Sequence, residues 1–147
     1  MTRILAVDYG LKRLGLALSD ERRILATALE TLLVGKNTEE TARLLIEKAR
    51  QCQACEIVIG LPLHLSGRTS FLADEVKHFV SILSNLTSLP IHLWDERLTS
   101  AEAERTLKLG GVNRKKRSGL VDSLSAVILL QSYLDAKSLR PPADNSN

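Results

Sequence analysis

The chain has 147 residues, the usual size of one domain, and 44% of them are hydrophobic, which is enough for a packed core. Its net charge of +3 is too small to identify a partner, and its two cysteines exclude a disulfide framework. No apolar run approaches the roughly 18 residues that cross a bilayer, and the N-terminus lacks the pattern of a signal peptide. The sequence therefore predicts a cytoplasmic protein without membrane contact, with one domain over residues 1–138 and a disordered tail at 139–147.

The first part of the chain predicts three strands. Three segments are rich in apolar and β-forming residues and are separated by turn residues: RILAVDYG (3–10), LGLALSD (14–20) and RILATALETLLV (23–34). Because only a short turn separates the first two segments, we expect them to pair as a hairpin.

The rest of the chain alternates helices with strands. Four segments carry the apolar spacing or the capping signals of helices: 37–52, 71–86, 100–109 and 120–136. Two short apolar runs predict strands: 56–62 and 90–98. Loops are expected at 63–70 and, from its glycines and charges, at 110–119. This order predicts an α/β fold with a mixed central sheet flanked by helices.

Acidic residues occur at positions where burial is expected. Asp8 ends the first strand, Asp95 and Glu96 end a later one, and Asp122 lies within an apolar helix. Burying an ionised carboxylate without a partner is costly, and a divalent metal such as Mg²⁺ or Mn²⁺ could serve all of these acids at once. Taken singly, each acid is also typical of an exposed turn, a salt-bridged loop or the first turn of a helix. Their joint pattern favours a metal site.

Four segments of this chain resemble the motif blocks of the YqgF family: DYGLKRLGLALSD, GLPLHLSG, DERLTSAEA and VDSLSAVILLQSYLD. The family has a RuvC-like, RNase H-like fold, and its members are described as pre-16S rRNA processing nucleases and, earlier, as Holliday junction resolvases. The resemblance implies that Asp8, Glu96 and Asp122 are the catalytic, metal-binding acids, with Asp95 as the alternative to Glu96.

The second block departs from the family pattern. After Gly67 the family commonly carries a further glycine and a proline, whereas this chain has Ser70 and Phe71. The substrate contacts of that loop are therefore not carried over, and the expectation for the acids is unchanged.

Glycines and cations near the acids are the predicted substrate contacts. Gly10 would let a phosphate approach the first turn, and Lys12 and Arg13 would neutralise its charge. A tight hairpin with solvated cations is the alternative. Arg97, which follows the acid pair, would hold phosphate or orient Glu96, unless it forms only a surface salt bridge.

Four consecutive cations lie between a glycine pair and Asp122: Arg114, Lys115, Lys116 and Arg117. We expect this run to lie in a loop that contacts nucleic acid, although such runs are also common as solvated charge.

Together these features predict a metal-dependent endonuclease that hydrolyses phosphodiester bonds. The resemblance implies processing of the 5' end of pre-16S rRNA, so structured RNA is the expected partner. A Holliday junction resolvase acting on branched DNA, or a non-catalytic RNA-binding factor in ribosome assembly, are the alternatives. Monomer and homodimer both stay open.

Overall fold

The computed structural model describes residues 2–62, 67–96 and 114–139, with side chains for 71–96 and 123–138 in the last two ranges. The strands are β1 (Arg3–Asp8), β2 (Arg13–Ser19), β3 (Ala26–Leu33), β4 (Ala54–Leu61) and β5 (Ile91–Asp95). The helices are α1 (Thr38–Gln51), α2 (Gly67–Leu86) and α3 (Arg114–Leu139). Within these ranges, no helix has both the length and the apolar character needed to cross a membrane.

The five strands form one mixed sheet in the order β3-β2-β1-β4-β5. β1 pairs antiparallel with β2, which pairs antiparallel with β3, whereas β4 runs parallel to both β1 and β5. The mixed sheet flanked by helices and the predicted hairpin are therefore confirmed. Because β1, β4 and β5 are parallel, their carboxyl ends lie at one edge of the sheet, which we call the carboxyl edge.

Strand alternation divides the core between the two faces of the sheet. Leu5 and Val7 of β1 belong to the apolar cluster that includes residues of α1 and α2, such as Phe79. Ile4 and Ala6 belong to the other cluster, which includes residues of α3. Successive side chains of a strand point to opposite faces, so β1 packs against α1 and α2 on one face and against α3 on the other. The side on which α3 packs against β1, β2 and β3 is called the α3 face.

Three predicted boundaries are wrong. The strand expected from residue 23 begins at Ala26, because residues 20–25 form a turn. The loop expected at 63–70 gives way to α2 at Gly67. The loop expected at 110–119 is helical from Arg114 onward. Lysine and arginine are good helix formers, and only Gly119 interrupts the run before the apolar part of α3.

The other predictions of secondary structure are confirmed or lie outside the described residues. The last strand ends at Asp95 rather than at residue 98, and Glu96 follows in a 3₁₀ turn. Arg97 and the helix expected at 100–109 are not among the described residues. The predicted tail overlaps α3 only at Leu139, and its remainder also lies outside that part of the chain.

Candidate active site

Two of the acids predicted from the sequence end strands at the carboxyl edge of the sheet. Asp8 is the last residue of β1, and Asp95 is the last residue of β5. β4 lies between these two strands, and its register aligns Ile59 with Val7 and Leu61 with Asp95. Two strands far apart in the sequence therefore deliver their terminal acids to the same edge.

The pleat distinguishes Glu96 from Asp95. In β1, Ile4 and Ala6 pack on the α3 face, so alternation assigns Asp8 to that face as well. In β5, Trp94 packs on the α3 face, which assigns Asp95 to the opposite side and returns Glu96 to the side of Asp8. Of the two acids that the sequence left open, the geometry therefore favours Glu96.

The Glu96 side chain lies directly over Gly60 of β4. A Cβ built on Gly60 would lie 2.9 Å from Glu96 Oε1 and 3.2 Å from Leu129 Cδ2 of α3. Neighbouring strands are about 4.8 Å apart, so a carboxylate above β4 is about one strand spacing from the line of β1 and Asp8. Gly60 therefore leaves the space between the two acids free of a side chain.

The Glu96 carboxylate has no hydrogen-bond or ion-pair partner within the part of the chain that the structure describes. The contrast is with Glu56 of β4, whose carboxylate binds three side-chain donors. Tyr133 OH donates to Glu56 Oε2 at 2.9 Å, His92 Nε2 lies 3.2 Å from it, and Arg23 Nη1 lies 3.3 Å from Oε1. Glu56 is therefore held by side chains of the fold, whereas the described part of the chain offers Glu96 no such partner.

Ser123 fixes α3 against the sheet beside Asp122. Its fully buried hydroxyl donates to the carbonyl oxygen of Leu29 at 2.6 Å and accepts from the backbone N–H of Leu16 at 3.5 Å. These partners lie where the β2–β3 register shifts between Leu14 and Leu16. The hydroxyl thus links the two strands at a bulge, where the regular ladder is interrupted.

This contact also fixes the backbone of α3 next to Asp122. Leu16 pairs with Val7, the residue before Asp8, so the backbone of Ser123 is anchored near the carboxyl edge. Asp122 precedes Ser123 in α3, and its side chain is outside the described set. Among the described side chains, no three His, Cys, Asp or Glu residues form a metal-binding group, which leaves Asp8 and Glu96 as the described pair of candidate ligands.

Gly10, in the turn between β1 and β2, is required by the backbone of that turn. A Cβ on Gly10 would lie 2.5 Å from the carbonyl oxygen of Arg13, so the turn itself excludes a side chain there. Lys12 is exposed, and its carbonyl accepts from the N–H of Val34 at 3.1 Å. The hairpin alternative explains Gly10, and phosphate contact by Gly10, Lys12 and Arg13 stays a prediction.

Tyr9 holds the end of β1 from the other face. Its ring packs against Phe79 with 5.0 Å between centroids. Burial first, and then the nearby carboxylate of Glu75, raise the pKa of the Tyr9 phenol above its usual value. The residue after Asp8 is therefore an uncharged anchor that fixes the strand end.

For the basic residues near Asp122 that were predicted to contact nucleic acid, the structure describes only the backbone. Arg114, Lys115, Lys116 and Arg117 form the first turn of α3 rather than a loop, and their side chains are not among those described. They precede Asp122 on the same helix. Their contact with nucleic acid stays a prediction, as does the role of Arg97.

Two residues important for this geometry do not stand out in the sequence. Gly60 reads as an ordinary glycine at the end of a strand. A glycine on a strand beside strands that end in acids could, however, have indicated the space that the site needs. Ser123 is inconspicuous, although a small polar residue beside an acid in an apolar helix suggests a buried hydrogen bond.

The fold defined by this sheet is that of RuvC-like resolvases. A structure of Thermus thermophilus RuvC in complex with a Holliday junction substrate matches with a TM-score of 0.60 and 12% identity, over 95% of this chain and 97% of that one. The Fowlpox virus resolvase in complex with Holliday junction DNA matches with a TM-score of 0.58 and 12% identity, over 94% and 99%. The RNase H-like fold expected from the sequence is confirmed.

The chain belongs to the RuvX family. The family model described as "RuvX: Holliday junction resolvase" matches residues 2–136. A relative from Protochlamydia amoebophila named "Putative pre-16S rRNA nuclease" is 54% identical, over 92% of this chain and 95% of its own length. A relative of the same name from Koribacter versatilis is 44% identical, over 93% and 89%. These matches confirm the resemblance found in the four sequence blocks.

Replacing Gly60 by Ala should displace the Glu96 carboxylate while leaving the fold intact. The new Cβ meets the flexible end of Glu96, and Leu129 needs to move by only a few tenths of an ångström. We expect at least a tenfold loss of nuclease rate with about 1–3 kcal/mol of destabilisation, measured by cleavage assays and urea unfolding. In a Glu96→Gln background, Gly60→Ala should reduce the nuclease rate little further, because it acts by displacing the Glu96 side chain. Wild-type activity of Gly60→Ala would contradict this role.

Replacing Ser123 by Ala should weaken both the fold and the site. The change leaves the Leu29 carbonyl and the Leu16 N–H without their buried partner, which costs about 1–3 kcal/mol. Because Asp122 adjoins this anchor, we also expect the magnesium concentration for half-maximal activity to rise, measured on fully folded protein. Ser125→Ala is the control, since Ser125 is exposed on the same helix. An unchanged magnesium dependence would limit Ser123 to stability.

Proposed function

We propose that this protein is a metal-dependent endonuclease that processes the 5' end of pre-16S rRNA, with Asp8, Glu96 and Asp122 as its catalytic acids. One observation carries the proposal: Asp8 and Glu96 share the α3 face on either side of Gly60, beneath the helix that contains Asp122. The names of the relatives support RNA as the substrate. The nuclease domain would comprise residues 1–138, and the protein would act in the cytoplasm, where the precursor is made.

The residues present fit a hard divalent cation. Carboxylate oxygens are preferred ligands of Mg²⁺ and Mn²⁺, and Gly60 provides space where any other residue would place a side chain. Asp8, Glu96 and Asp122 would hold the metal, which would supply activation of a water nucleophile and stabilisation of the leaving oxygen.

The protein's own cations would position the substrate. Lys12 and Arg13 follow Asp8 on an exposed turn, and Arg114 to Arg117 open the helix that carries Asp122. Both groups are close in sequence to a candidate ligand, so phosphates bound there would bring the backbone to the carboxyl edge. Contacts of this kind orient the chain without reading base sequence.

Branched DNA is the second candidate substrate, because the family description names Holliday junction resolution. Labelled pre-16S rRNA and a four-way DNA junction should be compared with magnesium, manganese or EDTA. Cleavage at the 5' end of the rRNA supports the proposal, whereas symmetric cleavage of the junction by a homodimer supports resolution. Binding of RNA without cleavage of either substrate would support the non-catalytic assembly factor.

Asp8→Asn and Glu96→Gln should each reduce cleavage at least a thousandfold and leave the fold intact. Each change removes a negative charge from the metal site but keeps the size of the side chain. Asp95→Asn is the matched control, because alternation directs Asp95 to the other face, and it should stay within a few-fold of wild type. Rates should be measured with saturating metal on protein shown to be folded. Loss of activity in Asp95→Asn alone would reverse the assignment.

Magnesium or manganese should raise the melting temperature of the wild type by several degrees, and EDTA should reverse the effect. A ligand that binds only the folded state stabilises it by mass action, by about 2.7 kcal/mol at a hundred times its dissociation constant. The triple variant Asp8→Asn, Glu96→Gln, Asp122→Asn should lose the shift. An equal shift in the triple variant would place the metal elsewhere.

A further inference from the structure

A second polar site lies on the same face, at the opposite edge of the sheet. It is an open cavity of about 230 Å³ between the turn after β2, the start of β4 and the end of α3. Its polar and charged lining residues are Arg22, Arg23, Glu56, Tyr133, Lys137 and Ser138. None of these residues was selected from the sequence, and none belongs to the carboxyl edge.

The turn that carries Arg22 and Arg23 is rigidly built. Asp20 Oδ1 accepts from the backbone N–H groups of Ile24 at 2.7 Å and Leu25 at 2.9 Å, and these bonds lower the pKa of Asp20. The N–H of Arg23 donates to the Asp20 carbonyl at 3.1 Å. Arg23 has a φ of 59°, a left-handed conformation that costs a non-glycine residue about 1–2 kcal/mol. Such strain persists only where the surrounding contacts enforce it.

Arg23 and Glu56 neutralise each other within the wall of the cavity. Arg23 Nε donates to the carbonyl of Thr2 at 2.7 Å and Nη2 donates to Cys55 Sγ at 3.0 Å, which leaves Nη1 to face Glu56. Glu56 is the one acidic residue among the described lining side chains, and its carboxylate is further satisfied by Tyr133 OH and His92.

Because Arg23 is neutralised by Glu56, the charge of the cavity depends on the other two lining cations, Arg22 and Lys137. Neither Arg22 nor Lys137 forms an ion pair within the described part of the chain. Lys137 Nζ is held 5.1 Å above the centre of the Tyr133 ring, which keeps it at the rim. The cavity therefore presents a positive surface built on a fixed turn and a fixed helix end.

We propose that this cavity binds a phosphate group of the nucleic-acid backbone, as a second contact remote from the catalytic acids. Ile4 lines the cavity and precedes Asp8 by four residues of β1, a distance of about 13 Å at 3.3 Å per residue. This proposal depends on the proposed function in one respect only, namely that the ligand is a nucleic acid.

The test is binding without cleavage. Arg22→Ala with Lys137→Ala should be made in the Glu96→Gln background and titrated in EDTA with labelled structured RNA and with a four-way DNA junction, over a range of salt concentrations. We expect about tenfold weaker binding of either nucleic acid. The salt slope should be smaller by about one unit, for the one phosphate that the variant no longer neutralises. Exchanging the cations, as Arg22→Lys with Lys137→Arg, should restore most of the affinity.

The matched control is Arg43→Ala with Lys77→Ala, which removes the same charge from α1 and α2 on the other side of the sheet. It should leave the salt slope unchanged. Equal decreases of affinity in the test and control pairs would show a general charge effect and overturn the proposal.

Inorganic phosphate provides a separate arm, followed by thermal melting. Phosphate could stabilise the wild type but not the Arg22→Ala, Lys137→Ala variant, while both proteins bind nucleic acid with the same salt slope. In that case the cavity binds a free anion, and the proposal that it binds the nucleic-acid backbone is wrong. If the wild type cleaves nucleic acid and the double variant keeps its slope, this proposal fails and the proposed function stands. If the wild type binds and cleaves no nucleic acid, both fail.

Discussion

The site depends on the register of three parallel strands. β4 aligns Ile59 with Val7 on one side and Gly60 with Trp94 on the other. A shift of β5 by one residue would exchange its two faces and turn Glu96 away from Asp8. The register of β4 against β1 is fixed because Val58 and Ile59 are fully buried on opposite faces of β4, so a slip of β4 would disrupt both halves of the core. The interaction that builds the fold therefore also places the acids.

The two glutamates on the α3 face show how local donors separate a structural acid from a candidate catalytic one. Glu56 and Glu96 both lie against α3, one near Tyr133 and the other near Leu129. Burial penalises an ionised carboxylate unless donors or cations compensate it. Glu56 has three such donors within the fold, whereas Glu96 has none in the described part of the chain. Of the two glutamates, Glu96 is therefore the candidate ligand for a cation, and Glu56 is already compensated within the fold.

Much of the fold was predictable from the sequence because its signals are local. Alternating or continuous apolar runs identified all five described strands, and an acid at the end of such a run identified Asp8. The start of α3 was missed because glycines and charges indicate a loop locally, while helix propensity and packing favour a helix from Arg114. The turn before β3 was missed because Arg23 adopts a left-handed conformation only with the support of Asp20. The choice of Glu96 over Asp95 needed the register of the sheet, and the contacts of Gly60 and Ser123 join residues far apart in the chain.

Helix α3 connects the two ends of the α3 face. Ser123 binds it to β2 and β3 near the carboxyl edge, and Tyr133 binds it to Glu56 near the amino end of β4. These anchors are ten residues apart, about 15 Å of helix, so neither end can rotate or slide without breaking one of these hydrogen bonds. The spacing between the candidate acids and the cationic cavity is therefore set by a rigid helix and a β-strand rather than by loops.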